Sequence, residues 1–302
     1  MERFAIGIDL GGTNIVGGLV DQDGNPHATI HRPTPASLTP PDVLGAIKEI
    51  IAHLLREAGS TPVVGIGLGI PGLLDRQAGK VIFSPNIPWR DVPVLREFEE
   101  FGLPLDMDND VRCHALGELH FGAGKGLQHF ILLTLGTGIG SGIVINGELY
   151  RGSSNMAGEI GHIPLRPDDG PLCGCGKRGC FEAIASGKNI GRRAREAQIA
   201  NTSRELFEKA AAGDRAAAEL VDRVIRDLAV GIATYVNLMN PQRVIIGGGV
   251  AQAGDQLFQP LRRYVDELTM PGIRGTFDIV PARFGREAGV VGAASLIPAL
   301  TR

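Results

Sequence analysis

The feature that most constrains the fold of this chain is a pattern of strand, glycine loop and strand that occurs twice. Phe4–Leu10 is an apolar run that predicts a buried strand, and it ends in the loop DLGGTN before the strand pattern resumes at Ile15–Val20. Phe130–Leu135 ends in GTGIGSG (Gly136–Gly142) in the same way. A shift of 125 residues lays Leu10, Gly11 and Gly17 on Leu135, Gly136 and Gly142. The repetition predicts two related lobes that each begin with the same hairpin.

Strand and helix patterns alternate along the rest of the chain, which is typical of an α/β protein. We divide it into an N-terminal lobe, residues 1–120, and a C-terminal lobe, residues 121–302. Apolar runs and apolar stripes predict further strands at Ala28–His31, Val63–Ile70, Leu103–Met107, Arg243–Ile246 and Thr276–Val280, and helices at Asp42–Ala58, Asn109–Phe121, Glu182–Gln198, Asp214–Met239, Asp255–Leu268 and from Arg286 onward.

The composition is that of an ordinary globular protein. The 302 residues are 43% hydrophobic and 21% charged, with a net charge of −3, so nothing favours a nucleic acid or a membrane as partner. The longest weakly polar run, Phe130 to Ile145, is too short and too rich in glycine to span a membrane. The N-terminus MERFAIGIDL lacks a signal-peptide pattern, so we expect a cytoplasmic protein.

One histidine and three cysteines lie at metal-ligand spacing in a short segment: His162, Cys173, Cys175 and Cys180. Four such ligands suit a closed tetrahedral Zn²⁺ site. A disulfide is the alternative, but three cysteines cannot all pair with one another and nothing indicates export. The fourth cysteine, Cys113, lies in a predicted helix, where we expect it to be a buried apolar residue. Because Glu159 and Glu182 flank the cluster, we interpret the metal as ordering a loop that presents both carboxylates and His162 to a ligand.

Three glycine-rich turns follow predicted strands. In chain order they are Gly11, Gly12 and Thr13; Gly136, Thr137 and Gly138; and Gly247, Gly248 and Gly249. Glycine lets backbone N–H groups approach a phosphate, and threonine adds a hydroxyl donor. The alternative is that these are only tight hairpins. No Walker-type loop is present, and the dinucleotide fingerprint is missing because no GxGxxG opens a helix after a first strand.

Two carboxylates strengthen the phosphate interpretation. Asp9 ends a buried strand, where a charge is unfavourable unless it is paired or coordinated, and Mg²⁺ is the natural partner beside a phosphate loop. Asp110 lies at a strand-to-helix junction, where backbone N–H groups favour its ionised form. These residues together favour phosphoryl transfer from a nucleotide to a hydroxyl group.

Four motifs resemble the ROK family of bacterial sugar kinases and related repressors, within the sugar kinase, Hsp70 and actin superfamily. They are DLGGTN, GTGIGSG, the GEIGH…CGCGKRGCFE segment and IGGGV, and the resemblance covers nearly the whole chain. Within the family, the chain is most similar to the glucokinases, through PNIPW, the NDV…ALGE stretch and FGAGKG. The resemblance implies two ribonuclease-H-like lobes, with sugar and ATP bound in the cleft between them, and a homodimer or homotetramer.

The resemblance also implies roles for individual residues. Asp110 matches the general base that takes the proton from the sugar 6-hydroxyl. The matching sugar-side positions are Gly72, Asn86, Asn109, Glu159, His162 and Glu182, and the matching nucleotide-side positions are Asp9, Gly11, Gly12, Thr13, Asn14, Gly136, Thr137, Gly138, Gly247, Gly248 and Gly249. His162 would bind structural zinc through one ring nitrogen and face the sugar with the other.

The implied reaction is Mg²⁺- and ATP-dependent phosphorylation of glucose at its 6-hydroxyl. Four residues depart from the family pattern, namely Asp108, Arg112, His114 and Phe181, and none removes a catalytic group. Several alternatives stay open at this point: N-acetylmannosamine, N-acetylglucosamine, mannose or fructose as acceptor, polyphosphate or ADP as donor, a sugar-responsive repressor without catalysis, and a purely structural zinc protein. The repressor is disfavoured because a strand already begins by Phe4, before any winged-helix segment could fit.

Overall fold

A computed structural model describes residues 2–84 and 87–301. The chain has an α/β architecture and divides into two compact units, which confirms the predicted class. The first unit comprises Met1–Gly126, Leu149–Ala157 and Arg283–Arg302, and the second comprises Leu127–Glu148 and Gly158–Ala282. Within the described ranges, no helix combines the length and the apolarity needed to cross a bilayer.

The first unit is built on a five-stranded sheet in which β3 (Pro26–Pro33), β2 (Asn14–Val20), β1 (Phe4–Leu10), β4 (Val63–Ile70) and β8 (Leu105–Asn109) lie side by side in that order. β1, β2 and β3 are antiparallel, whereas β1, β4 and β8 run parallel. The helices of the unit are α1 (Pro40–Glu57), α2 (Asp110–Phe121), α8 (Ala288–Ala294) and α9 (Pro298–Thr301).

A small second sheet in the first unit was not predicted. It contains three antiparallel strands, β5 (Leu73–Asp75), β6 (Lys80–Phe83) and β7 (Arg90–Pro93), and a 3-10 helix follows it at Leu95–Phe101. These strands are only three or four residues long. Such short segments carry too few alternations to give a strand pattern in the sequence.

The second unit contains a second mixed sheet, in which the neighbouring strands are β10-β9-β12-β13. Short strand β11 (Glu148–Tyr150) begins at the boundary between the units. The remaining elements of the second unit are β9 (Phe130–Leu135), β10 (Ile139–Ile145), a 3-10 helix at Ile160–His162, α3 (Phe181–Ala185), α4 (Gly187–Glu196), α5 (Ser203–Ala211), α6 (Arg215–Met239), β12 (Arg243–Gly247), a 3-10 helix at Gly249–Ala253, α7 (Asp255–Leu268) and β13 (Asp278–Pro281).

The predicted repeat of the opening hairpin is confirmed, with one difference in loop length. β1 pairs with β2 so that Leu10 lies opposite Ile15, and four residues close the hairpin. β9 pairs with β10 so that Leu135 lies opposite Ile139, which leaves three residues in the loop. The two loops are therefore related in position but not in backbone conformation.

The first unit differs from the predicted lobe 1–120 because the end of the chain returns to it. Helix α8 packs on β1 and β4, and its backbone occupies the space that a Cβ would need at Gly7 and Gly67. Val290 and Ala294 of α8 share an apolar cluster with Ala5 of β1. Helix α8 therefore covers one face of the first sheet, although it follows the whole second unit in sequence.

The predicted helix Glu182–Gln198 is wrong, because the segment forms two helices. Ser186 has an extended conformation, with ψ of 158°, and its side chain caps α4 by accepting a hydrogen bond from the N–H of Asn189. A serine that caps a helix satisfies N–H groups which have no partner inside the helix. α5 was also missed, whereas α7 matches its predicted bounds.

Candidate active site and metal centre

Strand order brings two predicted site residues of the first unit to one edge of its sheet. Asp9 of β1 lies beside Gly69 of β4, and Gly69 lies beside Asp108 of β8. All three strands run in the same direction, so the residues that follow them emerge at the same edge. Asp110 is the first residue of α2, directly after β8. Ligands of open α/β sheets bind beyond this carboxyl edge of the strands.

Asp9 lies on the face of β1 that α8 covers. Alternate residues such as Ile6 and Ile8 point to the core with α1, which leaves Asp9 on the opposite face. The carboxylate occupies the space beside Gly289, where even a Cβ would overlap its oxygen atoms. Burial raises the pKa of Asp9 from 3.8 to about 6, because a charged carboxylate is disfavoured away from water. A cation at this carboxylate would reverse that effect.

The first glycine loop presents its backbone to solvent. The N–H of Gly11 donates to the carbonyl oxygen of Asn14 at 2.8 Å, and Gly12, Thr13 and Asn14 are exposed. Thr34 holds the loop from behind: its hydroxyl donates to the Gly11 carbonyl at 2.7 Å, and its N–H donates to the Thr13 carbonyl at 2.9 Å. Thr34 could not be identified from the sequence, since no local motif marks a residue whose partners, Gly11 and Thr13, lie more than 20 residues away in the chain.

The helix that begins at Asp110 has a defined N-cap. The side-chain oxygen of Asn109 accepts hydrogen bonds from the N–H groups of Val111 at 3.1 Å and Arg112 at 3.4 Å. Its side-chain nitrogen donates to the carbonyl oxygen of Gly72 at 3.4 Å, so Asn109 also fixes the turn after β4. The structure therefore brings Asn109 and Gly72 together, whereas Asn86, the other predicted sugar contact of this unit, lies outside the described residues.

Asp110 is in an environment that favours its protonated form. Burial and the nearby carboxylate of Asp9 raise its pKa, and His114, one turn along α2, opposes that shift together with backbone N–H groups. Burial lowers the pKa of His114 in turn. A carboxylate with a raised pKa is a better proton acceptor than an ordinary aspartate, which is what a general base requires.

Two residues that depart from the family pattern form a buried ion pair beside the site. Asp108 is fully buried, with Arg112 Nη1 at 3.6 Å and Arg151 Nη2 at 2.7 Å from its carboxylate oxygens. Arg112 also donates to the carbonyl oxygen of Ala157 at 3.0 Å. Asn155 donates to the carbonyl oxygen of Leu74 at 3.1 Å. These contacts fasten the segment Leu149–Ala157 to the start of α2 and to β5.

The second unit brings its two glycine turns together. Gly136 donates to the carbonyl oxygen of Gly138 at 3.0 Å, which closes the loop around Thr137. Strand β12 is parallel to β9, with Gly247 beside Thr134. The turn at Gly247, Gly248 and Gly249 therefore leaves the sheet next to the loop at Gly136, Thr137 and Gly138.

The histidine and the three cysteines of the predicted metal site converge. One ligand atom from each of His162, Cys173, Cys175 and Cys180 lies within 4.8 Å of all the others. Cys175 Sγ is 3.7 Å from Cys180 Sγ, and Cys173 Sγ is 3.6 Å from His162 Nδ1. Two sulfur atoms that bind one tetrahedral Zn²⁺ at about 2.3 Å lie about 3.8 Å apart. The donor set and its spacing thus fit zinc.

The cysteines carry no disulfide. All four are free, and Cys113 is buried in α2 of the first unit, as predicted. Burial and the neighbouring Cys175 and Cys173 thiols raise the pKa of Cys180 to about 12. A bound dication would remove that penalty, because metal ligation requires the thiolate form.

His162 presents its two ring nitrogens to different groups. Nδ1 faces Cys173, whereas Nε2 lies 3.9 Å from a carboxylate oxygen of Glu159. Tyr235 of α6 also lies near Glu159: burial raises the pKa of its phenol, and the Glu159 charge contributes in the same direction. No local pattern singles out Tyr235, which sits in a long helix far from the motif.

Glu182 makes a contact that sequence reasoning did not predict. Its Oε2 accepts a hydrogen bond at 2.9 Å from the N–H of Ile139, the residue that follows the second glycine loop. One carboxylate oxygen is thus engaged with the protein backbone.

Comparison with known proteins agrees with this organisation. The profile of the ROK family matches residues 5–299. A glucokinase from Thermotoga maritima is 41% identical, over 97% of this chain and 96% of the relative. The crystal structure of a ROK family glucokinase from Streptomyces griseus, in complex with glucose and AMPPNP, has a TM-score of 0.83 and 34% identity, and the match covers 98% of this chain and 99% of that one. A ROK hexokinase from Thermus thermophilus has a TM-score of 0.83 and 38% identity, with 99% and 98% of the two chains covered. This protein therefore belongs to the ROK family and has the sugar-kinase fold.

Proposed function

We propose that this protein is a glucokinase that transfers the γ-phosphoryl group of ATP to glucose. The observation that carries this function is its similarity to a glucokinase over nearly the full length of both chains. Homologous glucokinases also include a structure with glucose and a nucleotide analogue bound. The sugar-kinase activity follows from the same comparisons.

Asp110 is the candidate general base. In the proposed reaction its carboxylate accepts the proton of the glucose 6-hydroxyl as that oxygen bonds to the γ-phosphorus, and the bond to the β–γ bridging oxygen breaks. The raised pKa of Asp110 and its place at the helix start support this role. Asp9, whose half-buried carboxylate lies at the same edge of the sheet, is assigned to the cation.

The glycine loops are the candidate phosphate cradle. We assign the exposed backbone of Gly11, Gly12, Thr13 and Asn14 to the phosphates, with Gly136, Thr137 and Gly138 as the second loop. Mg²⁺ that arrives with ATP supplies charge neutralisation, and the carboxylate of Asp9 would face it. The turn at Gly247, Gly248 and Gly249 is assigned to the nucleoside.

The proposed sugar contacts come from the first unit and from the metal loop. Gly72, Asn86 and Asn109 are the contacts of the first unit, and Glu159, His162 and Glu182 are those of the metal loop. Zinc held by His162 Nδ1 and the three cysteines would have a structural role, because four protein ligands leave it no open position. His162 Nε2 stays available for a hydroxyl group of the sugar.

The test is the release of ADP by the purified protein with Mg-ATP, with and without glucose at one fixed concentration. We expect strong glucose-dependent turnover. The same assay with mannose, fructose, N-acetylglucosamine and N-acetylmannosamine, and with polyphosphate or ADP as donor, decides between the alternatives. Turnover with another sugar but not with glucose would contradict glucose as the acceptor and would leave the sugar-kinase reaction standing. Absence of turnover with every sugar and donor, from folded zinc-loaded protein, would contradict the kinase assignment.

Two further assignments remain predictions. A homodimer or homotetramer is expected from the family resemblance, and light scattering after gel filtration would measure the mass directly. A cytoplasmic location is likewise a prediction from the sequence.

A further inference from the structure

We propose that Glu182 is a positioning residue for the second glycine loop, and that it links this loop to the Cys/His cluster, so that metal content controls nucleotide affinity. The inference rests on the proposed function, because it takes Gly136, Thr137 and Gly138 as a phosphate loop. It adds a role for Glu182 and for the metal that a sugar contact does not require. All residues involved belong to the second unit.

The first observation is the contact between Glu182 and the exit of the loop. Its Oε2 accepts the Ile139 N–H at 2.9 Å. The same oxygen fills the space beside Gly138, where a Cβ would overlap it. A charged acceptor that is partly shielded from water makes a stronger hydrogen bond than a neutral one. The carboxylate therefore holds both the last loop residue and the first strand residue in place.

The second observation is that the other end of the metal loop reaches the same point. Gly161 precedes the zinc ligand His162, and a Cβ at Gly161 would overlap the carbonyl oxygen of Ile139. Glu182 thus holds the Ile139 N–H, while Gly161 packs against the Ile139 carbonyl. The two ends of the loop that carries the metal ligands, at Gly161 and Glu182, therefore both contact Ile139 of β10.

The third observation concerns how rigidly Glu182 is joined to the metal ligands. Cys180 is the N-cap residue of α3, and Glu182 is the second residue of that short helix. Between them, Phe181 is fully buried, and its N–H donates to the carbonyl oxygen of Ile163 at 2.9 Å. Movement of the Cys180 thiolate would therefore displace Glu182 with it.

The chemical consequence is that the two oxygens of the Glu182 carboxylate have different roles. Oε2 is bound to the loop backbone, which leaves Oε1 for a hydroxyl group of the sugar. The loop is then held in one conformation before the nucleotide arrives, and such preorganisation favours binding. If the metal is removed, Gly161 and Glu182 are no longer held together through the metal ligands. The second glycine loop must then be ordered by the nucleotide itself.

The experiment measures the affinity of a non-hydrolysable ATP analogue with Mg²⁺ by calorimetry, in the absence of any sugar. Without sugar, a lost sugar contact cannot change the result. We expect Glu182→Ala to weaken nucleotide binding about tenfold while zinc content stays at the wild-type level. Glu182→Gln retains an oxygen acceptor and should weaken binding no more than about threefold. Glu208→Ala, an exposed glutamate on α5, is the matched control and should bind as wild type.

A suppression test examines the packing directly. Gly138→Ala alone should weaken nucleotide binding, because the added methyl group displaces the Glu182 carboxylate. The double variant combines Gly138→Ala with Glu182→Ala. It has no carboxylate for the added methyl group to displace, and it already lacks the hydrogen bond to Ile139. Its affinity for the nucleotide should therefore equal that of Glu182→Ala. Additive losses in the double variant would overturn the proposed contact, and so would wild-type affinity in Glu182→Ala.

The metal arm uses protein stripped of zinc and then reconstituted. Stripped protein that remains folded by circular dichroism should bind the analogue about tenfold more weakly, and zinc should restore the affinity. Unchanged affinity in folded stripped protein would overturn the link to the metal. Failure of the proposed function is seen separately, because wild-type protein would then show no sugar-dependent release of ADP even if these nucleotide affinities changed as expected.

Discussion

The carboxylate of Asp108 is completely buried, and one of its oxygens accepts a hydrogen bond from Arg151 Nε at 2.8 Å, with Nη2 at 2.7 Å. Removal of the arginine would leave this charge without its closest partner. We expect Arg151→Met to lower the free energy of unfolding by about 3–5 kcal/mol. Urea denaturation followed by circular dichroism measures the change.

The control is an ion pair of the same type on the surface. Arg215 and Glu219 of α6 are largely exposed, so Arg215→Met should change the stability by less than about 1 kcal/mol. Adding Asp108→Asn to Arg151→Met should recover part of the lost stability, because it removes the unpaired charge. Equal losses from the buried and the exposed arginine would contradict this account.

The role of Asp110 as general base predicts a selective loss of turnover. Asp110→Asn keeps the size of the side chain but cannot accept the hydroxyl proton, so kcat should fall by about 10² to 10⁴ with a smaller change in the KM for glucose. The ADP-release assay measures both constants. Asp42→Asn, which changes an aspartate in the first turn of α1, should keep wild-type kcat. A near-normal kcat in Asp110→Asn would remove this residue as the base.

The acid side of the activity profile should reflect the raised pKa of Asp110. The base works only when deprotonated, so kcat/KM for glucose should fall as the pH decreases through that pKa. We expect the midpoint of the decline to lie above 3.8, the value for an ordinary aspartate. Initial rates between pH 4.5 and 9, with folding checked at each pH, test the sign. An acid-side decline no greater than that expected for a carboxylate with the ordinary pKa of 3.8 would be inconsistent with it.

Asp9 should lower the stability of the protein at neutral pH. Its pKa rises from the ordinary aspartate value of 3.8 to about 6 on folding, so the folded state retains a proton that the unfolded chain has released. Stability therefore declines as the pH rises from about 4 to about 6, and the loss is complete above that range. We expect Asp9→Asn to raise the free energy of unfolding by about 1–3 kcal/mol at pH 7.5, with a smaller gain near pH 4.

This comparison requires buffer without Mg²⁺ or nucleotide, since either would shift the pKa of the carboxylate. Asp23→Asn in an exposed turn is the control and should change stability by no more than about 0.5 kcal/mol. An Asp9→Asn variant that is less stable than wild type at pH 7.5 would contradict the prediction. The same variant should lose kinase activity, because Asp9 is assigned to Mg²⁺.

The Cys/His cluster predicts one zinc ion per chain. Plasma emission analysis of protein purified without chelator should give about one equivalent. Cys175→Ser should lose the metal and weaken sugar binding, whereas Cys113→Ser, in the buried core of α2, should keep the zinc. Native protein free of zinc, or full zinc content in Cys175→Ser, would count against the site.

The parts of the structure that could be predicted are those encoded within a few residues. The hairpin of β1 and β2 follows from two apolar runs and a glycine turn. Asn109 is typical of the residue that precedes a helix, and α2 starts at Asp110. The spacing of Cys173, Cys175 and Cys180 was sufficient to predict that their side chains converge, since they lie on one loop. Each of these signals is local and does not depend on the rest of the fold.

The parts that could not be predicted depend on contacts between distant segments. The bond from Ile139 to Glu182 joins residues that the whole metal loop separates. Arg112 stood out in the sequence only as a departure from the family pattern, whereas in the structure its guanidinium reaches Ala157. Such partners are chosen by the packing of the complete unit, which no pattern of spacing or hydropathy records.

The return of α8 to the first sheet has a consequence for biosynthesis. Gly67 leaves the ribosome roughly 220 residues before Val290, and Gly7 leaves it earlier still, yet α8 covers one face of both their strands. At a translation rate of about 5–20 residues per second, this face of the sheet stays uncovered for roughly 10–45 s before α8 is synthesised. The unit that carries Asp110 therefore cannot close until α8 has been synthesised. A chain that terminates before α8 would expose β1 and β4 to chaperones and proteases, and an active kinase would arise only from chains that contain α8.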